Sequence, residues 1–257
     1  MYWKVQYLML SQTKGFEAII FAMYRSQINH TIKDAIKFFE SRNFPLPPFA
    51  YWTISDWKKE KRSCQEIFTA RLGWDVTDFG SGDFEKTGRI IFTLRNGKKG
   101  SSEYPKPYAQ KLMYLKEEQK SAIHYHRIKM EDAINVGGGI IIYRFWKQDR
   151  NAHLSGAKLT VSVDGCKVTL KAGQRLSLAP GESVCTVPGM YHQFYAKKGS
   201  GPVMSMEVSG VCDDENDNFW LEKASRFPEI IEDEPRQFYL CSEYNKLFGF
   251  WRIKKKE

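Results

Sequence analysis

Two histidines and a glutamate fall within nine residues in the stretch HYHRIKMED, residues 124 to 132. Residues two apart on a strand project from one face, so His124 and His126 would point the same way. Glu131 follows five residues after His126, across a bend that can return its carboxylate to the same centre. His192 opens a strand-like run after the turn-forming Pro188 and Gly189 in VPGMYHQFY. Three imidazoles and one carboxylate suit a divalent first-row ion and leave positions open for a substrate. Of five histidines in the chain, the other two, His30 and His153, read as surface residues on a helix and a loop. Taken singly, an H-x-H pair is as readily polar decoration of a strand. The case rests on its conjunction with Glu131 and His192.

These groups need a scaffold, and the residues around them describe a mainly β chain. RIIFTLR (89 to 95), AQKLMYLK (109 to 116) and IIIYRFWK (140 to 147) are rich in branched and aromatic residues, as strands are. KLTVSV and CKVTL flank Asp164 and Gly165, a two-residue hairpin signal. QRLSLAP, SVCTV, QFYAKK and VMSMEVSGV continue the series, and the NG at 96 and 97 reads as a turn. Short strands separated by Gly and Pro turns imply an antiparallel sandwich or barrel. Ahead of them, Ile28, Ile32, Ala35, Ile36 and Phe39 keep helical spacing from Ser26 onward, until prolines at 45, 47 and 48 forbid continuation. Ser55 is the expected N-cap of a second helix running through Ile67 to Leu72, with Gly73 just past its end. The aromatic group Phe49, Tyr51, Trp52, Trp57 and Trp74 reads as packing. After Cys212 the chain turns acidic, in DDENDN and EIIEDE, and its strand pattern fades. Residues 1–22 read as an extension of unassigned role, leaving one domain over 23–257: a helical preface (23–82), a barrel (about 83–212) and a C-terminal wrap (213–257).

Composition narrows the function classes. With 257 residues, 42% hydrophobic and 27% charged, the chain is globular and long enough for one elaborated domain. The net charge of +9 is partly terminal, in RIKKKE from Arg252. Its basic clusters are not interleaved with aromatics, so a solvated lysine-rich surface fits better than a nucleic-acid interface. No apolar run is long enough to span a bilayer. Five cysteines without a C-x-x-C pair read as reduced thiols of a cytoplasmic protein.

The order H-x-H, four residues, Glu, five residues, GGG, and later P-G-x-x-H resembles the two motifs of the cupin family. Glu118 stands where that family usually has a glycine ahead of the first histidine, and the glycine-to-proline spacing of the second motif differs by a residue. RSQINHTIKDAIKFFE, FPLPPFAYWTISDW, LGWDVTDFGSGDFEKTG, QKLMYLKEEQ, HYHRIKMEDAINVGGG, GMYHQFY and DDENDNFWLEKASRFPEIIEDE together are similar to the D-lyxose isomerase family, over about residues 23 to 245. The resemblance implies a cupin double-stranded β-helix, a jelly-roll-like barrel with N-terminal helices and an irregular C-terminal wrap. It implies a manganese-dependent homodimer that interconverts D-lyxose with D-xylulose and D-mannose with D-fructose. The implied metal ligands are His124, His126, Glu131 and His192, the implied active-site lysine is Lys111, and the implied acids are Glu222 and Asp233. Ser225 replaces a usual glycine beside those acids. Moving a hydrogen between adjacent carbons calls for such a set: a cation to polarise two oxygens, a base for the carbon and an acid for the oxygens. The same ligand shell is compatible with a cupin dioxygenase, a phosphosugar isomerase or a non-catalytic sugar-binding cupin. Oxygen chemistry, unlike proton transfer, does not require the lysine and two carboxylates.

Overall fold

The computed structural model describes residues 22–60 and 64–246. Residues 1–21 of the expected 1–22 extension and the basic run from Arg252 lie outside the described residues, and Ala22 opens the first strand. A short strand, β1 (Ala22–Tyr24), leads into helix α1 (Arg25–Ser41). Ile28, Ile32, Ala35 and Phe39 form one fully buried stripe on α1, and each large aliphatic or aromatic side chain so buried contributes roughly 1.5–3 kcal/mol. Beyond Ser41 the chain turns at Asn43, whose φ is 56°, and the prolines follow.

The second expected helix is two short ones, α2 (Ile54–Lys59) and α3 (Gln65–Thr69). Thr53, not Ser55, is the N-cap: its hydroxyl accepts from the Asp56 N–H at 3.3 Å, and the Asp56 carboxylate accepts from the Thr53 N–H at 2.9 Å. This reciprocal box satisfies two backbone donors at once, which explains why the helix starts there. Gly73 does not follow a helix end but opens strand β2 (Gly73–Thr77) with φ of 105°. A Cβ at that position would run into the Tyr244 hydroxyl. The region expected as a helical preface therefore ends in a strand that belongs to the main sheet.

Strands β3 (Arg89–Arg95), β4 (Tyr108–Leu115), β6 (Glu131–Gly138), β8 (Leu159–Val163), β9 (Cys166–Leu170), β11 (Ser183–Thr186) and β13 (Val203–Gly210) join β2 in an eight-stranded antiparallel sheet ordered β2-β3-β4-β13-β6-β11-β8-β9. Strands β5 (His124–Tyr125), β7 (Ile141–Trp146), β10 (Arg175–Leu178), β12 (Tyr191–Ala196) and β14 (Phe219–Trp220) form a five-stranded one ordered β10-β7-β12-β5-β14. Their inner faces meet in one core, Ile91, Met113 and Ala133 from the larger sheet against Tyr143, Phe145 and Phe194 from the smaller. Ile90, Phe92 and Leu112, of opposite parity, face outward and are covered by α1. The β8–β9 hairpin turns at Asp164 and Gly165, both at positive φ, as its sequence requires. The NG at 96 and 97 makes no tight hairpin. Asn96 instead clamps two segments, donating to the Ala70 and Cys212 carbonyls and accepting from the Cys212 N–H. Strand β6 escaped the sequence pattern because EDAINVGG carries Asp, Asn and two glycines, all poor strand formers.

The acidic C-terminal region runs back across the fold. Strand β15 (Glu229–Ile231) pairs in parallel with β1. The fully buried guanidinium of Arg25 grips Glu232 at 2.7 Å and Glu243 at 2.6 Å. Among the described residues no helix is long and apolar enough to cross a membrane.

Candidate metal centre and active site

Strand β5 lies between β12 and β14, and its register sets His124 directly across from His192 on one side and Trp220 on the other. The His124 and His192 ring centres are 4.3 Å apart, and His126 lies 5.0 Å from His124 although it is just past the strand end. The loop after His126 is wound around Asp217, whose buried carboxylate accepts from the N–H groups of Arg127, Ile128 and Lys129 at 2.8–3.0 Å. That winding ends at β6, where Glu131 enters the same space.

The imidazole tautomers follow from their partners. Nδ1 of His124 bonds the Ala122 carbonyl at 2.9 Å, Nδ1 of His126 the Asp217 carbonyl at 2.7 Å, and Nδ1 of His192 the Met190 carbonyl at 3.1 Å. A carbonyl only accepts, so Nδ1 carries the proton, and in the neutral ring Nε2 keeps the lone pair that a metal would use. Ligand atoms of the three rings lie within 4.8 Å of one another, all on buried residues. Glu131 faces two of them, Oε1 3.1 Å from His192 Nε2 and Oε2 3.4 Å from His126 Nε2. The His192 Nε2 has no hydrogen-bond partner among the described residues. Lone pairs turned toward a buried carboxylate repel unless a cation lies between them, so the donor set fits a divalent ion. Burial, then the neighbouring rings, pushes His124 well below the ordinary imidazole value, and burial lowers His126 too. Both are therefore neutral, as ligands must be.

A second group of charges lines the same cleft. Lys129 sits between two carboxylates, 2.7 Å from Glu131 Oε2 and 2.7 Å from Glu207 Oε1. The Ser209 hydroxyl also donates to Glu207 Oε1, at 2.9 Å, while Oε2 takes no hydrogen bond among the described residues. Burial opposes the charged form of Glu207, but Lys129 and Lys111 outweigh it and hold the carboxyl below the ordinary range. Lys111, from β4, lies 3.3 Å from Asp214 Oδ1, and Arg226 Nε lies 3.8 Å from the same oxygen. Against burial, these two cations hold Asp214 far below the usual aspartate value. Arg226 also pairs with the buried Asp75 at 2.5 Å.

Of the residues expected at the site, His124, His126, Glu131, His192 and Lys111 line this cleft. Glu222 and Asp233 do not. Glu222 is exposed, in a shallow depression outside the cleft beside Tyr125, Phe219 and Trp220. The Asp233 carboxylate accepts from the Ser26 N–H at 2.9 Å and its hydroxyl at 2.6 Å, at the N-terminus of α1. That is a capping contact, favoured by the free N–H groups and the positive end of the helix dipole.

The D-lyxose isomerase family profile matches residues 23–244. The chain belongs to that family. It is 44% identical over 223 residues to the D-lyxose/D-mannose isomerase of Serratia proteamaculans, a match covering 86% of this chain and 98% of the relative. The D-lyxose/D-mannose isomerase of Escherichia coli O157:H7 is 42% identical over 225 residues, covering 87% and 99%. Among solved structures, L-ribose isomerase of Acinetobacter sp. DL28 in complex with L-ribose superposes with a TM-score of 0.55 at 13% identity, covering 83% of this chain and 100% of that one. That of Cellulomonas parahominis with L-ribose gives 0.55 at 13%, covering 82% and 99%. These establish the cupin fold. Four residues that line the cleft, Lys129, Glu207, Asp214 and Arg226, do not stand out in the sequence. Lys129 lay inside HYHRIKMED itself. Its signal was a cation flanked by ligand-type residues.

Proposed function

We propose that this protein is a metal-dependent aldose–ketose isomerase of free sugars, interconverting D-lyxose with D-xylulose and D-mannose with D-fructose. The observation that carries the reading is the convergence of three imidazole lone pairs and Glu131 beside two further carboxylates, buried Glu207 and half-buried Asp214, each held ionised by a cation. His124, His126, His192 and Glu131 would hold the ion, for which manganese is our assignment. When bound, it would polarise the two neighbouring sugar oxygens and acidify the hydrogen between them. Glu207 is the base: Oε1 is fixed by Lys129 and Ser209, leaving Oε2 to take the proton from C2 and return it to C1. Lys111 and Asp214, a linked donor and acceptor at 3.3 Å, carry the proton that leaves one oxygen and arrives at the other. Glu222 and Asp233 have no part in this scheme, because neither side chain reaches the cleft.

We also assign a cytoplasmic homodimer, and a single domain over 23–257. Support for self-association comes from the outer face of the larger sheet, where α1 does not cover it. Tyr108 pairs with Gly210 across β4 and β13, Met130 and Val187 flank the paired ends Glu131 and Thr186 of β6 and β11, and Val208 pairs with Asp132. All four are exposed apolar side chains, as is Ile128 close by, an arrangement typical of association surfaces. The deciding experiment for the activity is an assay with manganese-loaded protein over free pentoses and hexoses and their phosphates, reading ketose formation. Product from D-lyxose and D-mannose is expected. No ketose from any free sugar removes the reading, and product from the phosphates alone replaces it with a phosphosugar isomerase.

A further inference from the structure

Four cationic side chains line the cleft, and three have carboxylate partners: Lys129 with Glu131 and Glu207, Lys111 with Asp214, and Arg226 with Asp75. Arg89 has none. It projects inward from β3, is 2% exposed, and donates once, from Nη2 to the Phe194 carbonyl at 3.0 Å. Its guanidinium carbon lies 4.1 Å from the centre of the Phe194 ring. The second nitrogen, Nη1, is buried with no hydrogen-bond partner among the described residues. A buried cation without a counter-charge opposes folding, and a methionine of similar length would fill the space without that penalty. A ligand that brings an oxygen, and preferably a charge, offsets it.

Position says which part of a ligand would do so. His192 and Phe194 lie two apart on β12 with ring centres 6.5 Å apart, so Arg89 stands one strand step beyond the imidazoles. A sugar whose carbonyl end lies at those imidazoles extends its far carbons toward Arg89. We propose that Arg89 is the specificity residue for the far end of the open-chain sugar, and that it makes the cleft bind an aldose ending in a carboxylate, a hexuronate, in preference to the neutral hexose. A terminal hydroxyl satisfies the hydrogen bond of Nη1, whereas a carboxylate satisfies both the bond and the charge. The inference rests on the isomerase reading, which orients the sugar.

The test uses the manganese-loaded full chain and two ligands that differ only at C6, D-mannose and D-mannuronate. Binding is followed by quenching of the fluorescence of Trp220, which lines the cleft, and independently by competition of the uronate with ketose formation from mannose. The wild type is expected to bind mannuronate at least about tenfold more tightly than mannose, the worth of charge assistance on one hydrogen bond. Arg89→Met is expected to collapse that ratio to about one while the protein stays folded, since the lost Phe194 contacts are offset by removal of a buried charge that has no counter-ion. Arg89→Lys keeps the charge and part of the preference. Equal affinity for both ligands in the wild type overturns the proposal, as does an Arg89→Met protein that weakens both equally. A wild type that makes no ketose from mannose fails the isomerase reading instead, a result separable from the fluorescence ratio.

Discussion

Replacing Glu207 by glutamine separates the carboxylate that geometry selects from those the family resemblance suggested. The fold should tolerate it. Glutamine keeps a carbonyl oxygen that can accept from Lys129 and Ser209, and Lys129 retains Glu131 at 2.7 Å. The loss is the charge assistance of those bonds, about 1–2 kcal/mol, or a fall in Tm of roughly 2–8 °C for a chain of this size. The chemistry should not tolerate it: an amide cannot take a proton from carbon, and a positioned base is worth about 10²–10⁴ in kcat. Metal content should be unchanged, because no proposed ligand is altered. The assay is the initial rate of ketose formation from D-lyxose, with metal content by elemental analysis and Tm measured on the same samples. Glu222→Gln and Asp233→Asn run beside it. Asp233→Asn should lose about 1 kcal/mol, the usual worth of a helix cap, and keep its turnover; Glu222→Gln should change neither. A Glu207→Gln enzyme within tenfold of the wild-type rate would refute the assignment. So would a hundredfold loss in Glu222→Gln at full metal occupancy.

His192→Ala should lower metal affinity by more than about 100-fold, beyond the usual effect of altering a ligand's supporting hydrogen bond, and chelation of the wild type should abolish turnover until manganese is returned; metal retained by the variant after dialysis would contradict the site. Asp214 has a depressed folded pKa, so its contribution to stability is complete above the ordinary aspartate value of 3.8 and lost as pH falls below it. Asp214→Asn should therefore melt below wild type at pH 7, with the gap closing under pH 4, and a gap that widens in acid would reverse the sign of this argument. Ile128→Glu combined with Val187→Glu should convert a dimer to monomer in sedimentation velocity, since two charges would be buried without partners; an unchanged dimer would move the interface elsewhere.

How much of this was legible beforehand depended on whether a feature is local. Helix α1, the β8–β9 hairpin and most inner strands follow from spacing, branching and turn residues within ten or so positions, and these were read with bounds close to those observed. So were the three histidines, because an H-x-H pair and a post-turn histidine are unusual enough to be noticed in one dimension. The two-helix break after Lys59 and the strand at Gly73 were not. The start of the first helix depends on a capping box at Thr53 outcompeting Ser55, and the strand at Gly73 on the Tyr244 hydroxyl, 171 positions away, occupying the space where a side chain would lie.

By itself the sequence determined which residue types could bind an ion and which faces of the strands would be apolar. Only the tertiary structure decided which carboxylates lie beside the three imidazoles. Glu207 alternates with Ser205 and Ser209 on β13 and would be ordinary strand polarity but for Lys129, brought to 2.7 Å from a segment 78 residues earlier. Asp214 lies in DDENDN, which reads as a solvated acidic run until Lys111, 103 residues before it, is found beside it in the cleft. Glu222, in a similar acidic context, stays in solvent. Local periodicity records the face a side chain takes, whereas its charge state and chemistry depend on what lies opposite through space, and strand order sets that.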